Sequence, residues 1–583
     1  MNKLVLFLFT FIIVGQITAL GQVLYSGSSW YWSHNTQGTG IAVPQAITVD
    51  VDGNKIVTGW FDGDVDFDPG PSQFLLSATG EDAFLLKLDP FGHFIWALKL
   101  GGNGYDGAYD VAVDSSGTIY CTGYYYGVVP YSTPFTTDSL VSAGDADAFL
   151  AAIDSAGDFL WVKSIGGASQ DFGYAISYGP TSAQGITLLG SFSGTADLDP
   201  GTTVLNHVAT GTSDVFICKT DVAGNLTWVG SVGGAGSYVY GSDLAVDASG
   251  YVHVTGYFQG SVDFDPGASS SVLVSSGPAP GGDDAYILKL NASGNYVWAR
   301  QAGGPDYTYS HSISLDSRNG DIYYGGRFSG ITDFDPGPAT FSLTPPSDAL
   351  FISKLDSAGN FSWAKSIHTS SGSVDSRCTV IFSENRNACH VSGVYSGGVD
   401  MDPGPGVAYA GSMGFDDIFI MYLDSSGTYR WVKQLGDLDN EAGVVMALDP
   451  TLNHAPCISG WFSSPSLNFG NRYLFNSAGG LSLFVAELNY VVLGSESVEN
   501  KSPLSVFPVP AKHEIHVGGM YMNPGMSYRW IIMDLQGKKI LSGFCIPDSK
   551  PDEAIDVSKL VPGTYFLRLE GSEVRTARFT ILR

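Results

Sequence analysis

The chain has 583 residues, a net charge of -29, 74 glycines, 13% aromatic residues and only 15% charged residues, and it is too long for one ordinary core unless repeated units each bury a share. That balance excludes long charged helices and favours short strands joined by tight turns, so an all-β chain is expected. Residues from Lys501 onward hold 11 Lys and Arg against 8 Asp and Glu, leaving 17 against 49 before them, and so acidic a body excludes nucleic acid and anionic membrane surfaces as partners.

The first segment, "MNKLVLFLFTFIIVGQITALGQ", has an early lysine, an apolar run from Leu4 to Val14 and small residues at Ala19 and Gly21. It predicts a secretory signal peptide over 1–21. No later stretch approaches the ~20 apolar residues of a spanning helix, so no membrane span is expected.

Residues 28–490 then repeat. The hexapeptide "VDFDPG" at Val65 returns, with small changes, at Ala196, Val262, Thr332 and Val399. Its first aspartates, Asp66, Asp197, Asp263, Asp333 and Asp400, are separated by 131, 66, 70 and 67 residues. The long first gap holds a unit without the motif, around "YCTGYYYGVVPYS" (Tyr120 to Ser132), and a degenerate unit follows at "CISGWFSSPSLNFG" (Cys457 to Gly470). Seven units of four strands result, as in "AYDVAVD", "TIYCTGYYY", "DAFLAAID" and "DFLWVKSIGG" of the second. Alternation between tight Asp- and Gly-bearing turns makes them antiparallel. Four strands repeated seven times predict a seven-bladed propeller. The last unit lacks a tryptophan strand, whereas "SSWYWSH" at the N-terminus has one and no unit before it. The two predict a blade shared by the chain ends, which removes open edges.

Within the motif, Asp66 and Asp68 lie two apart and share one side of an extended chain, and Pro69-Gly70 suits a type II turn. The same holds for Asp197 and Asp199, Asp263 and Asp265, Asp333 and Asp335, and Asp400 and Asp402, while the first copy adds Asp62 and Asp64. Paired carboxylates suggest Ca²⁺, which takes six to eight oxygens; turn aspartates that accept backbone N–H groups are the alternative. Further acids open most third strands (Asp82, Asp147, Asp214, Asp284, Asp348, Asp417) or sit in inter-unit loops (Asp106, Asp171, Asp306, Asp375, Asp437, Asp439) beside Tyr105, Tyr238, Tyr240, Tyr307 and Tyr309. These fall on the long-loop face, the expected place for a ligand. The tryptophans, once per unit, read as core. Of six cysteines, Cys378 and Cys389 flank a hairpin and are candidates for a disulfide. The histidines do not cluster, and there is no HExxH, GxSxG or P-loop, so no catalytic residue is assigned.

The repeat, best seen in "DDAYILKLNASGNYVWARQAGG" and "DLAVDASGYVHVTGYF" of the fourth unit, resembles the seven-bladed β-propeller repeat family of secreted bacterial proteins. After a polar linker (491–504), residues 505–583 form a separate small domain of strand runs, read as a β-sandwich. Its blocks "VFPVPA", "MDLQGKK", "IDVSKLVPGTYFLRL" and "RFTILR" resemble the C-terminal sorting domain of the type IX secretion system of Bacteroidetes, although Val509 stands where that family has Asn. The resemblance implies passage across the outer membrane by the type IX machinery and a secreted or cell-surface protein. The expected function is a non-enzymatic binding or scaffold propeller for an extracellular glycan or protein. The alternatives are a secreted polysaccharide-degrading hydrolase or lyase and a stiff module without a ligand.

Overall fold

The computed structural model describes residues 29–179, 184–278, 280–371, 373–374, 378–469, 473–476, 480–489, 505–507, 514–518, 528–533, 539–545, 553–570 and 574–581. The expected signal peptide, the linker and Asp375 lie outside them. One compact unit spans Tyr25–Val491 and another contains the residues from Val492 on.

The larger unit is all-β and propeller-like. The second repeat shows the plan: Gly107–Val113, Ile119–Ser132, Thr137–Ile153 and Phe159–Gly167 pair in chain order, all antiparallel. The first strands of the repeats lie innermost and line an axial cavity. Local chemistry fixes the register. In each repeat a second-strand glycine faces a third-strand aromatic ring, as in Gly59–Phe84, Gly256–Tyr286 and Gly460–Phe484. A Cβ at Gly256 would meet the Tyr286 ring at 3.0 Å, so only glycine lets the ring lie across the strand.

The Gly-Gly that ends the tryptophan strand has a similar cause. A Cβ at Gly303 would stand 2.0 Å from the carboxylate of Asp284, and one at Gly233 2.1 Å from that of Asp214. The buried third-strand acids occupy that space. Three tryptophans in turn cover the next repeat's turn: the Trp96, Trp228 and Trp363 indole N–H groups donate to the carbonyls of Ser155, Ala292 and Ser425 at 3.0–3.1 Å. Glycines at those turns admit the ring, with Gly294 2.7 Å and Gly427 3.1 Å from it by the same measure.

The sheet count corrects the expectation of seven separate blades. Five blades are sheets of their own, whereas the strands expected to form two further ones belong to a single eight-stranded sheet. The cause is the strand Phe361–Ser371, which runs on past its own sheet to pair His368 with Asp400 and Thr369 with Val399. Elsewhere the same junction is shorter: Gly166 pairs with Asp197, and single bridges join Gly233 to Asp263 and Gly303 to Asp333.

The N-terminal strand Ser29–Asn35 pairs with Ser482–Asn489, the third strand of the last repeat. This seam carries a buried charge cluster. Lys55 Nζ lies 2.7 Å from Asp449 Oδ2 and 3.0 Å from Glu487 Oε1, with all three side chains fully buried. The Trp32 indole N–H donates to Glu487 Oε2 at 2.9 Å and also approaches the Pro90 carbonyl at 3.1 Å. Aligned on the glycine–aromatic pairs, the Lys55 position is Ile119, Ile186, Val252, Ile322, Cys389 and Pro456 elsewhere, and the Glu487 position is Lys87, Ala152, Lys219, Lys289, Lys354 and Tyr422. A lysine at the first position and a glutamate at the second therefore occur only where the two ends of the repeat meet.

Cys378 and Cys389 are both buried and free. The hairpin register sets Phe382 against Cys389 and Thr379 against Ser392, so the two thiols are offset along the ladder instead of facing each other, which does not suit a disulfide.

The C-terminal unit contains a three-stranded sheet (Ser505–Phe507, Glu514–Gly518, Glu553–Asp556) and a four-stranded one (Lys539–Cys545, Tyr528–Met533, Gly563–Glu570, Val574–Ile581). Ile515 and Ile555 of the first share a buried cluster with Ile532, Leu567 and Ile581 of the second. The Tyr565 hydroxyl donates to the Val561 carbonyl at 2.9 Å, bracing the "VPGTY" turn.

Candidate ligand site at the axial cavity

The motif acids are not brought together. Each copy closes its own loop in the same way. Asp66 Oδ1 accepts the N–H of Asp68 at 3.2 Å and of Phe74 at 2.8 Å, and Asp68 Oδ1 accepts the N–H of Gly70 at 2.7 Å. Asp197, Asp263, Asp333 and Asp400 repeat the first pattern towards Leu205, Ser271, Phe341 and Ala408. Asp199, Asp265, Asp335 and Asp402 repeat the second towards Gly201, Gly267, Gly337 and Gly404. The residue between the acids, Phe67, Leu198, Phe264, Phe334 or Met401, is fully buried. The first acid also lies at the junction with the preceding repeat, as the Gly166–Asp197 and His368–Asp400 pairs show and as Gln37–Asp66 shows at the seam. Asp62 is exposed, and Asp64 accepts the Ser77 hydroxyl at 2.5 Å. Among the described residues, no three His, Cys, Asp or Glu side chains are grouped as metal ligands.

Most other acids singled out in the sequence hold loop backbone. Asp147 accepts the Ala143 N–H at 2.9 Å, Asp214 that of Thr210 at 2.7 Å and Asp417 that of Met413 at 2.7 Å. Asp106 accepts from Gly102 and Tyr126, and Asp171 from Gly167 and Ser193. Burial pushes the Asp106, Asp147 and Asp417 carboxyls up to about 6 and that of Asp171 to about 7. Asp348 differs: it is half-exposed and pairs with Arg327.

What departs from repetition is the cavity of about 290 Å³ between the innermost strands. A one-residue bulge interrupts the first strands between Pro44 and Ala46, Ala108 and Asp110, Gly173 and Ala175, Gly241 and Asp243, and Ser310 and Ser312. A bulge breaks alternation and re-aims a side chain. The bulged residues Gln45, Tyr109, Tyr174, Ser242 and His311 all line the cavity.

Tyr109 and Tyr174 begin an aromatic arc. Ring centroids are 5.6 Å apart from Tyr109 to Tyr174, 4.6 Å to Tyr240, 5.1 Å to Tyr257, 4.4 Å to Tyr309 and 4.9 Å to Tyr307. All six rings are partly exposed. The arc covers the second to fifth repeats and stops; the bulge of the first repeat carries Gln45, and that of the last carries Gly443 and Val444. Behind it Asp283, buried, accepts the hydroxyls of Tyr238 and, at 3.0 Å, Tyr309.

Two carboxyls from unlike repeats line the cavity below the rings. Asp110 accepts the N–H of Ile176 at 2.7 Å and of Val111 at 2.8 Å, and Asp243 those of Ile313 at 2.9 Å and Leu244 at 2.7 Å. Each thus ties its strand to the next repeat. Burial, and for Asp110 the nearby Asp243 charge, pushes Asp110 up to about 8, and burial pushes Asp243 to about 7. The sequence had singled out Tyr238, Tyr240, Tyr307 and Tyr309 but not Tyr109, Tyr174, Tyr257, Asp110 or Asp243. Period-two reading assigns strand residues to alternate faces, and it cannot place a residue beyond an unseen bulge.

Residues 505–583 match the secretion system C-terminal sorting domain family. The repeat body is similar to an uncharacterized WD repeat-containing protein of Acanthamoeba polyphaga mimivirus, 28% identical over 401 residues, covering 58% of this chain and 28% of that protein's length. Two solved structures align at low similarity. One is a subtype N10 neuraminidase-like protein of A/little yellow-shouldered bat/Guatemala/060/2010, with 9% identity, 79% of this chain, 100% of that chain and a TM-score of 0.30. The other is a tetra-tandem repeat in the extending region of a large adhesion protein, with 10% identity, 92% of this chain, 98% of that chain and a TM-score of 0.12. Such TM-scores carry no argument about this chain. No described helix is long and apolar enough to cross a membrane. Residues 505–583 are a sorting domain of the type IX secretion system, appended to a propeller-like repeat body.

Proposed function

We propose that the protein is an exported binding or scaffold module, displayed on the cell surface or released, whose ligand sits where the tyrosine arc meets the axial cavity. The carrying observation is the arc's restriction to four consecutive repeats, with centroid steps of 4.4–5.6 Å. A ring needed only for repeat packing recurs in every repeat, whereas a ligand requires it at one place. The C-terminal unit, read as a sandwich, directs export. Two experiments test this reading. A glycan and peptide array probed with the full chain yields a ligand whose binding falls in Tyr174→Leu and Tyr240→Leu; a ligand insensitive to both sinks the site. Deletion of 505–583 traps the protein inside the outer membrane, and normal display of the truncated chain refutes the export role.

One observation favours a second reading, a secreted polysaccharide-degrading hydrolase or lyase. Asp110 and Asp243 face one cavity with carboxyls raised into the range of acid–base catalysis. Release of reducing ends from a polysaccharide panel, lost in Asp110→Asn and Asp243→Asn, would establish it.

A further inference from the structure

The chemistry around the cavity narrows the ligand class, an argument that rests on the site proposed above. The cavity, at about 290 Å³, is at the small end of ligand pockets, which run from roughly 300 to 1,000 Å³. A group of side-chain size fits within it. Its charged and aromatic lining is Asp110, Asp243, Tyr109 and Tyr174, set among His311 and neutral Gln, Ser and Thr side chains. No ion pair formed by described residues includes Asp110, Asp243 or Asp283.

The rings themselves favour positive charge. The face of an aromatic ring attracts a cation within about 6 Å of its centroid, and a hydroxyl that donates to a carboxylate polarises its ring further in that sense. Tyr238 and Tyr309 both donate to the buried Asp283. The arc already holds one cation of the protein's own: the Arg327 guanidinium lies over the Tyr307 ring at 5.5 Å, and Tyr307 stacks on Tyr309 at 4.9 Å and 12°. The body's acidity, 49 acidic against 17 basic residues before Lys501, adds long-range attraction for the same sign of ligand.

We infer that the cavity mouth takes a cationic group, an alkylammonium or guanidinium such as a lysine or arginine side chain of a partner polypeptide, seated against Tyr174 and Tyr240 with its charge towards Asp110 and Asp243. The two carboxyls, raised by burial to about 8 and 7, ionise against such a charge and release protons on binding, a gain that neutral sugars and anionic ligands do not draw.

Calorimetry on the full chain tests this with N-acetyl-lysine amide, N-acetyl-arginine amide, the neutral isostere N-acetyl-norleucine amide and maltohexaose. The cationic amides bind about tenfold or more tightly than the norleucine compound, the preference shrinks between 20 and 300 mM salt as screening grows, and Tyr240→Leu or Asp243→Asn removes it. If a variant does not fold by circular dichroism, the salt dependence of the wild-type preference decides. Equal or absent binding of cationic and neutral amides overturns the inference. If maltohexaose binds instead and Tyr240→Leu abolishes that binding, the ligand class is wrong and the site stands. A ligand found on the array that ignores Tyr174 and Tyr240 removes both.

Discussion

Replacing Lys55 with methionine tests whether the seam is held by its buried charges. Methionine keeps most of the stem's volume but removes the ammonium from Asp449 Oδ2 at 2.7 Å and Glu487 Oε1 at 3.0 Å, in a cluster with no exposure. Deleting one partner of a buried pair costs about 3–5 kcal/mol, because the remaining charge is left unpaired. Here the loss falls at the lower end. Burial pushes the Glu487 carboxyl up to about 8 even with Lys55 in place, so it holds a proton at pH 7 with or without the ammonium, and Asp449, held below its usual range by Lys55 and other hydrogen bonds, is the one charge left without its partner. We expect about 3 kcal/mol, read as a shift in urea midpoint at pH 7 by tryptophan fluorescence. Trp32, bonded to Glu487 at 2.9 Å, lies at the perturbed place. Rescue separates charge from packing. Lys55→Ile combined with Glu487→Lys rebuilds the internal pattern, in which Lys87 approaches Asp50 at 3.3 Å, and it should recover more than half of the loss. A single variant within about 1 kcal/mol of wild type, below the range for broken buried pairs, or a double variant no more stable than the single one, refutes the reasoning.

Three further outcomes follow from the packing. Gly303→Ala places a Cβ 2.0 Å from the Asp284 carboxylate and should destabilise by about 1–3 kcal/mol; an unchanged urea midpoint would show that the acid moves freely. Stability should fall as pH rises from 5 to 8, since Asp106, Asp147, Asp171, Asp417 and Glu441 have folded-state pKa values of about 6 to 7. The folded chain then holds protons that the unfolded chain releases above pH 4, and that advantage disappears as pH passes the folded values; a calorimetric melt higher at pH 8 than at pH 5 contradicts it. Because the Oδ1 atoms of Asp66 and Asp68 already accept backbone N–H groups, EDTA should leave the melting temperature unchanged, and a clear fall that Ca²⁺ reverses would assign the ion to these loops.

Much of the architecture was readable because it is periodic. The spacing of Asp197, Asp263, Asp333 and Asp400, the tryptophan strands and the leftover strand "SSWYWSH" all express short-range rules of alternation and turn chemistry, and the N-terminal strand does pair with the last repeat. The sorting domain was readable for another reason: its blocks recur with little change, and residues 505–583 match the family. The paired aspartates were ambiguous, since two acids on one side of a strand look alike whether they await an ion or hold a turn. Their Oδ1 bonds to N–H groups two and eight residues on are turn chemistry.

The amino-acid order was thus sufficient for the all-β class, the repeat, the joining of the chain ends and the route of export, because each depends on neighbours within a few residues or on a repeated pattern. It was insufficient for the sheet count, which turned on how far Phe361–Ser371 extends before it meets Asp400. It did not show Lys55 and Glu487 meeting across 432 positions of chain, nor the tyrosine arc. Those depend on a register shifted by single-residue bulges and on strands from different repeats converging on one axis, distances that no local rule measures.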